Sequence, residues 1–173
     1  VPAASAFLAS QRIGVGLDRL IQVDAGQNLD FPGFGLRVMR AAHETLERNV
    51  DGHHRFLGYG LDFGTARVFH SGDTIPFSGQ SEEIATFAPD LALLPVNGRS
   101  EALKIAGFAG NFSLAEAISL CECCGIAAMI AHHFGMFAFN TLAPDTIDAV
   151  SRTTASVNVV RARQDMEFRL DAT

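Results

Sequence analysis

The sequence is poor in basic residues. Its 173 residues include 13 Lys and Arg against 19 Asp and Glu, and the formal net charge is −6. A protein that follows a nucleic-acid backbone needs a basic face, so nucleic acid is not an expected partner. The sequence also lacks any apolar stretch close to the roughly 20 residues that a membrane span requires. A membrane is therefore not an expected partner either.

Cysteine is scarce as well. Cys121, Cys123 and Cys124 all fall within one short stretch of a predicted helix. This clustering argues against a disulfide framework and favours a reducing, cytoplasmic setting. A zinc site built on CECC would need a fourth ligand that nothing nearby supplies, so packing in the core is the favoured interpretation. The opening VPAASAFLASQR lacks the basic start and long apolar centre of a signal peptide.

The overall composition is that of a globular domain. Hydrophobic residues make up 48% of the chain and charged residues 18%, and the length suits one domain with its own core. Strands alternate with helices in the second half, whereas a hairpin dominates the middle. This order favours an α/β or layered α+β domain. Because the chain starts without methionine and directly on a helical pattern, we expect residues upstream to be missing.

Hydrophobic periodicity and turn residues predict the individual elements. We expect a tight hairpin turn at Gly64-Thr65 and a capping box formed by Ser113 and Glu116. The segments 25–35 and 97–112 are predicted to be turns and loops. The predicted helices cover residues 2–13, 81–87, 113–124 and 144–152, and the predicted strands cover 20–24, 36–42, 56–63, 66–70, 90–96, 126–133, 156–162 and 166–172.

Polar residues stand at the ends of apolar strands. His43 follows LRVMRAA, Asp73 follows ARVFHSG, and His133 ends IAAMIAHH. Two imidazoles and a carboxylate are suitable ligands for zinc, manganese or iron. Only the fold can join residues so far apart in the chain. Their alternative roles are those of a strand-end histidine, an Asx-turn aspartate and a core histidine.

Several segments occur in the order found in a known family. VFHSGDT, DLALLPVNGR, GNFSLAEA and HHFGMFAFNT, with AAHE ahead of them, resemble the metallo-β-lactamase superfamily and its branch of L-ascorbate-6-phosphate lactonase-like hydrolases. The match runs from about residue 36 to about residue 150. The resemblance implies a four-layered αββα sandwich with a two-metal site on one edge. Residues 1–173 would form a single domain of this kind, truncated at its N-terminus.

The resemblance also implies which residues bind the metals. His43 matches a metal-binding histidine, Asp73 the carboxylate that bridges the two metals, and His133 the last ligand. Neighbouring side chains on a strand point to opposite faces, so His132 is expected to pack beside the site and not to ligate. Thr74 and His70 are expected to orient the ligands, with a buried structural role equally open for His70.

The family motif HxHxDH is absent from this sequence. It precedes the matched segments in the family and supplies the remaining ligands and the catalytic aspartate, so no catalytic residue is assigned. His53 and His54 are adjacent and lie in the polar segment ERNVDGHHR. We expect both of them on the solvated surface.

A substrate pocket is expected next to the metals. Arg99, in an NGR turn after a buried strand, is a candidate to grip a phosphate or carboxylate. The amides at the helix start after Gly110-Asn111 would form a second anion site. A plain turn remains open for NGR, and a core or subunit contact for the aromatic residues. The candidate substrate-binding residues are Asn97, Arg99, Asn111, Phe137, Phe139 and Asn140.

The expected activity is therefore that of a metal-dependent hydrolase. Its substrate would be a small anionic ester or lactone, such as a sugar-phosphate lactone, attacked by water activated by two zinc or manganese ions. The lack of a G-x-S-x-G elbow fits a reaction without a side-chain nucleophile. The alternatives are a partial domain that binds metal weakly and serves as a scaffold or binding module, and a phosphodiesterase, which the acidic charge disfavours. Self-association into a homo-oligomer is left open.

Overall fold

A computed structural model describes residues 1–170. Seven strands form one sheet in the order β1 to β7. The strands are β1 (Asn28–Phe31), β2 (Phe34–Arg40), β3 (Leu57–Asp62), β4 (Arg67–His70), β5 (Leu91–Pro95), β6 (Ala128–His132) and β7 (Asn158–Arg161). The helices are α1 (Ala6–Ile13), α2 (Gln80–Phe87), α3 (Glu101–Ile105), α4 (Leu114–Cys124) and α5 (Pro144–Thr153), with short 3-10 turns at Ala3–Ser5 and Leu17–Arg19.

The sheet is antiparallel in its first half and parallel in its second. Strands β1 to β4 pair antiparallel in sequence order, and β4 to β7 pair parallel. Each parallel step needs a crossover, and α2, the pair α3 and α4, and α5 provide these connections. Strand β2 runs in the same direction as β4, because two antiparallel pairings separate them. The carboxyl ends of β2, β4, β5 and β6 therefore meet at one edge of the sheet.

The main core lies between the sheet and helices α2, α4 and α5. Neighbouring residues of β2 show the alternation: Met39 faces this core, whereas Val38 faces a smaller cluster with Val23 and Leu57. The largest fully buried side chains of the main core are Phe69, Phe112, Met39, Ile84, Leu94, Ile126, Met129 and Ile147. Burial of each such side chain contributes roughly 1.5–3 kcal/mol.

Local signals explain where the longest helix begins and ends. Ser113 accepts a hydrogen bond from Glu116 N–H, and Glu116 accepts one from Ser113 N–H, which confirms the predicted capping box. Gly125 ends the helix with a φ of 69°, a left-handed conformation that glycine adopts without strain. The mixed α/β class and the hairpin of β3 and β4 were also predicted correctly.

The first part of the chain differs from the prediction. Residues 20–24 form no strand: Val23 makes a single bridge to Pro2, because no strand lies alongside the segment. Residues 25–35 were predicted to be turns but contain β1 and the β1–β2 hairpin. Its turn is Pro32-Gly33, and Gly33 has a φ of 95°. Proline and glycine suit the two central positions of a tight turn, so the turn is shorter than predicted.

Later segments differ too. The segment 97–112 contains α3, whose N-cap is Ser100. The Ser100 side chain accepts a hydrogen bond from Leu103 N–H. The closing strand predicted at 166–172 is absent over 166–170, and residues 171–172 lie outside the described part of the chain. Within residues 1–170 there is one sheet, so the second sheet of a sandwich is not seen. None of the helices described there has the length and apolar character to span a membrane.

The cysteines do not share one environment. All three are free thiols. Cys121 is fully buried in the main core and Cys124 is half-buried against it, as predicted. Cys123 is exposed, and its assignment to the core was wrong. The three residues lie within about one turn of α4, and the 3.6-residue period rotates Cys123 away from the sheet.

Candidate metal site

Asp73 and His133 face each other at the carboxyl edge of the parallel strands. Asp73 lies on the loop that follows β4, and His133 is the first residue after β6. His133 Nε2 is 3.4 Å from Asp73 Oδ2, and their side chains are 22% and 40% exposed. They are 60 residues apart in sequence, yet strand order brings them together, because β4 and β6 flank β5. An imidazole and a carboxylate at this distance form a pair that accepts a proton or a cation.

The backbone of both loops is in an uncommon conformation. Gly72 has a φ of 63°, and a Cβ built there would lie 2.5 Å from Leu57 O. Only glycine fits both constraints, which explains the glycine of HSGDT. His133 also has a positive φ, of 60°. A histidine in the left-handed conformation is uncommon. The extended backbone of β6 ends before His133, so the direction of its side chain does not follow the alternation of the strand.

Thr74 ties the Asp73 loop to the end of β2. Its Oγ1 accepts a hydrogen bond from Ala42 N–H at 2.9 Å and donates to Ile75 O at 3.1 Å. Ile75 N–H donates in turn to Ala42 O at 2.7 Å. His43 follows Ala42, so these bonds hold the His43 backbone beside the Asp73 loop. The His43 ring packs edge-on against Phe56, with ring centroids 5.1 Å apart.

His70 and His132 lie together beneath the pair. Their ring centroids are 5.0 Å apart with a 38° tilt. Burial, together with a smaller effect of the neighbouring His70, lowers the pKa of His132 to about 4. Burial also lowers the pKa of His70, although Asp73 opposes this. His70 Nδ1 accepts a hydrogen bond from Gly72 N–H at 3.0 Å, so neutral His70 carries its proton on Nε2.

These residues fit one side of a metal centre. His133 Nδ1 is buried and has no hydrogen-bond partner within residues 1–170, and the carboxylate of Asp73 is accessible. Their donor types suit zinc, manganese or iron. However, residues 1–170 contain no group of three or more His, Cys, Asp and Glu side chains arranged to hold a metal ion. His43 therefore does not close a three-ligand site in this conformation, and the ligand roles of all three residues stay predictions.

Arg99 is engaged by a carboxylate of its own chain. Its guanidinium forms a bidentate pair with Glu116, with both N–O distances 2.6 Å, and also donates to Asn111 O at 3.1 Å. An anionic ligand was expected at the start of α4. The carboxylate that lies there is the side chain of Glu116, the capping-box residue of this helix. The hydrogen bonds from Arg99 make the largest contribution to lowering the pKa of Glu116, which is about 2, and hydrogen bonds from Ser113 lower it as well. This partner was not predicted.

Asn97 and Asn111 are buried and join two loops. Asn111 Nδ2 donates to Asn97 Oδ1 at 3.0 Å, and the residues are 1% and 8% exposed respectively. Glu44, next to His43, accepts a hydrogen bond from Gly110 N–H at 2.9 Å. The loop before α4 is thus attached to the end of β2. Asn111 is fully buried, whereas Asn97 lines a small open pocket beside Arg99, so their substrate-binding roles stay predictions. Glu44 is a connecting residue that the sequence did not indicate.

The aromatic residues after His133 are exposed. Phe137 and Phe139 are 48% and 55% exposed, and their ring centroids are 5.5 Å apart. Phe139 also contacts Phe108, from the loop after α3, at 4.8 Å. Asn140 N–H donates to Phe137 O, which closes the loop. An aromatic surface thus lies on the loop that follows His133, and Phe108 is a member that the sequence did not indicate.

His54 is buried, contrary to the surface position predicted for it. It is 6% exposed, and its Nδ1 and its backbone N–H both lie 2.9 Å from Asp24 Oδ1. The polar segment around it contained no signal for this, because its partner is 30 residues upstream. His53 is half-buried and donates only its backbone N–H, to Asn49. The pair is structural, since it ties this loop to the segment before β1.

Comparisons with known proteins agree with this architecture. Residues 4–134 match the family model described as the Beta-lactamase superfamily domain. A UPF0173 metal-dependent hydrolase of Myxococcus xanthus (strain DK1622) is 30% identical over 92 residues, which are 53% of this chain and 29% of the relative. The chain therefore spans less than a third of that relative's length.

Solved structures share the fold at low sequence identity. Igni18, a metallo hydrolase from the archaeon Ignicoccus hospitalis, superposes with a TM-score of 0.65 at 16% identity, over 95% of this chain and 74% of its own. An isothiocyanate hydrolase from Delia radicum gut bacteria superposes with a TM-score of 0.70 at 11% identity, over 95% of this chain and 64% of its own. At such identities the likeness shows a common fold.

Proposed function

The chain belongs to the metallo-β-lactamase superfamily, and on that premise we propose that it carries out metal-dependent hydrolysis. Asp73 and His133 are the metal ligands that we assign to it. The observation that carries this proposal is their approach to 3.4 Å at the carboxyl edge of the sheet. Ligands bind at this edge in open α/β sheets, where loops from several strands converge.

His43 is the third ligand in this proposal. The hydrogen bonds of Thr74 keep the His43 backbone beside the Asp73 loop, so a rotation of its ring away from Phe56 would bring it to the same edge. Residues 1–170 contain no group of three or more ligating side chains already arranged around an ion. A complete centre then needs ligands in addition to these three. A divalent ion bound there would act as a Lewis acid and activate water.

The residues around Asp73 and His133 would favour the binding of a cation. His70 and His132 are neutral imidazoles at neutral pH, because burial lowers the pKa of both groups. Neutral rings add no positive charge that would repel a cation beside Asp73. Gly72 and Thr74 hold the carboxylate loop in place through main-chain contacts. Oriented ligands of this kind bind metals more tightly than mobile ones.

For the substrate we propose a small ester or lactone. A phosphorylated sugar lactone is the example that the sequence resemblance favours. The exposed Phe137 and Phe139 on the loop after His133 would form an apolar wall on one side of the substrate. Arg99 is already paired with Glu116, so it does not serve as the grip for an anionic group unless that pair opens.

A metal-binding scaffold without catalysis is the second candidate. The observation that favours it is the absence of a third ligand in place around Asp73 and His133 within residues 1–170. Such a domain would bind metal weakly and turn over no substrate. Hydrolysis and metal affinity therefore have to be measured side by side.

Metal titration tests the proposal. The metal-free protein is titrated with Zn²⁺ and with Mn²⁺ by calorimetry, and hydrolysis of a small aryl ester and a sugar lactone is followed on the same samples. Asp73→Asn and His133→Ala should weaken binding at least tenfold and abolish hydrolysis. The matched controls Asp145→Asn and His53→Ala should change neither.

The results separate the candidates. Equal metal affinity in Asp73→Asn and wild type would contradict the assigned ligands. Metal binding that depends on Asp73 and His133, without turnover of any ester, lactone or phosphodiester, would support the scaffold. Turnover that survives removal of metal by a chelator would refute metal-dependent hydrolysis itself.

A further inference from the structure

A second cavity lies between helices α2 and α4, away from the candidate metal site. It is open to solvent and has a volume of about 460 Å³, within the range of small-molecule sites in proteins. Its apolar lining includes Phe77, Phe112 and Leu120, and Cys123 lines it from the exposed side of α4. None of His43, Asp73 and His133 contributes to it. The cavity therefore needs an explanation of its own.

Gln80 is the feature that points to a ligand. It lines this cavity, is only 5% exposed, and its side-chain amide makes no hydrogen bond with any of residues 1–170. Most buried polar groups in proteins are hydrogen-bonded within the protein. The Gln80 amide instead remains free to pair with a molecule that enters the pocket. The amide offers one donor group and one acceptor to whatever occupies the cavity.

The charged residue in the lining indicates that the ligand is uncharged. Glu116 is the charged residue in the lining, and both of its carboxylate oxygens are taken, by Arg99 and by the backbone and hydroxyl of Ser113. The ion pair leaves no free cation for an anionic ligand and no free anion for a cationic one. The remaining polar contributions are short hydroxyls, such as that of Ser119.

Contacts between the surrounding elements fix the walls of the cavity. Cys124 Sγ donates to Ser81 O at 3.5 Å, which fixes the first turn of α2 against α4. Arg40 lies over the ring of Phe77 at 5.3 Å and pairs with Glu83 of α2. These contacts join β2, α2 and α4 and fix the positions of the walls relative to one another.

We propose that the cavity between α2 and α4 is a binding site for a small uncharged molecule with an apolar body and a carboxamide-like edge that pairs with Gln80. This site is independent of the metal-dependent activity. Its ligand lies against Phe77 and Phe112, and its amide or lactam group exchanges two hydrogen bonds with the Gln80 side chain.

The exposed thiol of Cys123 allows a direct test by disulfide capture. Two probes are used, each a mixed disulfide of 2-aminoethanethiol with a benzyl thiol. One benzyl group carries a para-carboxamide and the other a para-isopropyl group of nearly the same shape. The Cys123 thiolate attacks the benzyl sulfur, the probe disulfide breaks, the protein–benzyl disulfide forms and 2-aminoethanethiol leaves. Excess 2-mercaptoethanol keeps the exchange at equilibrium, and mass spectrometry measures occupancy.

Other cysteines do not interfere. Burial raises the pKa of Cys121 to about 12 and of Cys124 to about 11, so little thiolate forms on either. Cys123→Ser should abolish capture of both probes, and this result would show that Cys123 is the thiol that reacts. Retained capture in this variant would place the reaction elsewhere and remove the support for the cavity.

The expected result is a preference for the carboxamide probe of at least fivefold, which is about the effect of one net hydrogen bond. Gln80→Met keeps the size of the side chain and should reverse the preference, whereas Gln22→Met, at an exposed glutamine, should leave it unchanged. Thermal unfolding verifies that each variant is folded. Equal capture of both probes in the folded wild-type protein, or a preference that persists in Gln80→Met, would overturn the proposal.

Discussion

The bidentate pair of Arg99 and Glu116 indicates that Arg99 has a structural role, and this role can be distinguished from substrate binding by mutation. We expect Arg99→Ala to destabilise the protein and to change KM equally for charged and neutral substrates. The guanidinium is bound by Glu116 at 2.6 Å through two nitrogens. A substrate anion would have to displace a carboxylate that Ser113 also holds.

The magnitude follows from the pKa of Glu116. The hydrogen bonds from Arg99, together with smaller contributions from Ser113, lower it from an ordinary value of 4.5 to about 2. At about 1.4 kcal/mol per pKa unit, the full shift corresponds to roughly 3 kcal/mol. The two side chains are 37% and 33% exposed, so solvent screening reduces this figure. We expect Arg99→Ala to lower the free energy of unfolding by about 1–2 kcal/mol at pH 7.

The pH dependence has a definite sign. The pKa of Glu116 is lower in the folded than in the unfolded protein, so the stabilisation is fully present above the unfolded value of about 4.5. It is lost as the pH falls from 4.5 towards 2. In Arg99→Ala the pKa of Glu116 returns towards its ordinary value, and the slope of stability against pH in this window should become shallower.

Urea unfolding at pH 7 and at intervals down to pH 3 is the assay. Glu116→Gln and the double variant complete a mutant cycle that isolates the pair. Arg169→Ala is the matched control, because Arg169 and Glu167 form a pair that is 78% and 74% exposed. If Arg99→Ala unfolds like wild type and raises KM only for anionic substrates, the structural assignment is refuted and the substrate role regains its basis.

Other substitutions test the loops around the candidate site. Gly72→Ala should lower the midpoint of thermal unfolding and weaken metal binding together, because a Cβ would overlap a backbone carbonyl of β3; an unchanged midpoint would contradict the close approach. Thr74→Val should cost about 1–3 kcal/mol in urea unfolding, since it leaves Ala42 N–H buried without a partner; a neutral effect would show that the bond is dispensable. Burial tends to raise the pKa of Asp24, but hydrogen bonds from Ala25 and His54 outweigh it and keep the pKa below 3.8. Asp24 should therefore stabilise the protein above pH 3.8 and lose this effect as the pH falls further, and Asp24→Asn should flatten that part of the stability profile measured by urea unfolding. A profile that matches wild type would argue against the pair.

The sequence by itself determined features whose causes are local. Ser113 and Glu116 are three residues apart and form the predicted capping box, because the first turn of a helix brings these groups within reach. The hairpin at Gly64-Thr65 formed where turn residues separate two apolar segments. The alternation of helices and strands indicated the α/β class, because the spacing of hydrophobic residues depends on which face of each element is buried.

Only the tertiary structure decided the pairings between distant segments. Asp73 meets His133 because β4 and β6 lie on either side of β5, and strand order is not written in any local pattern. Glu116 was predicted as a capping residue, yet its second partner, Arg99, depends on how the loop after β5 packs against α4. His54 appeared polar and exposed, and it is buried because Asp24 reaches it from another part of the chain. A polar group becomes tolerable in the interior when folding brings it a hydrogen-bond partner, and chain connectivity alone does not specify which partner arrives.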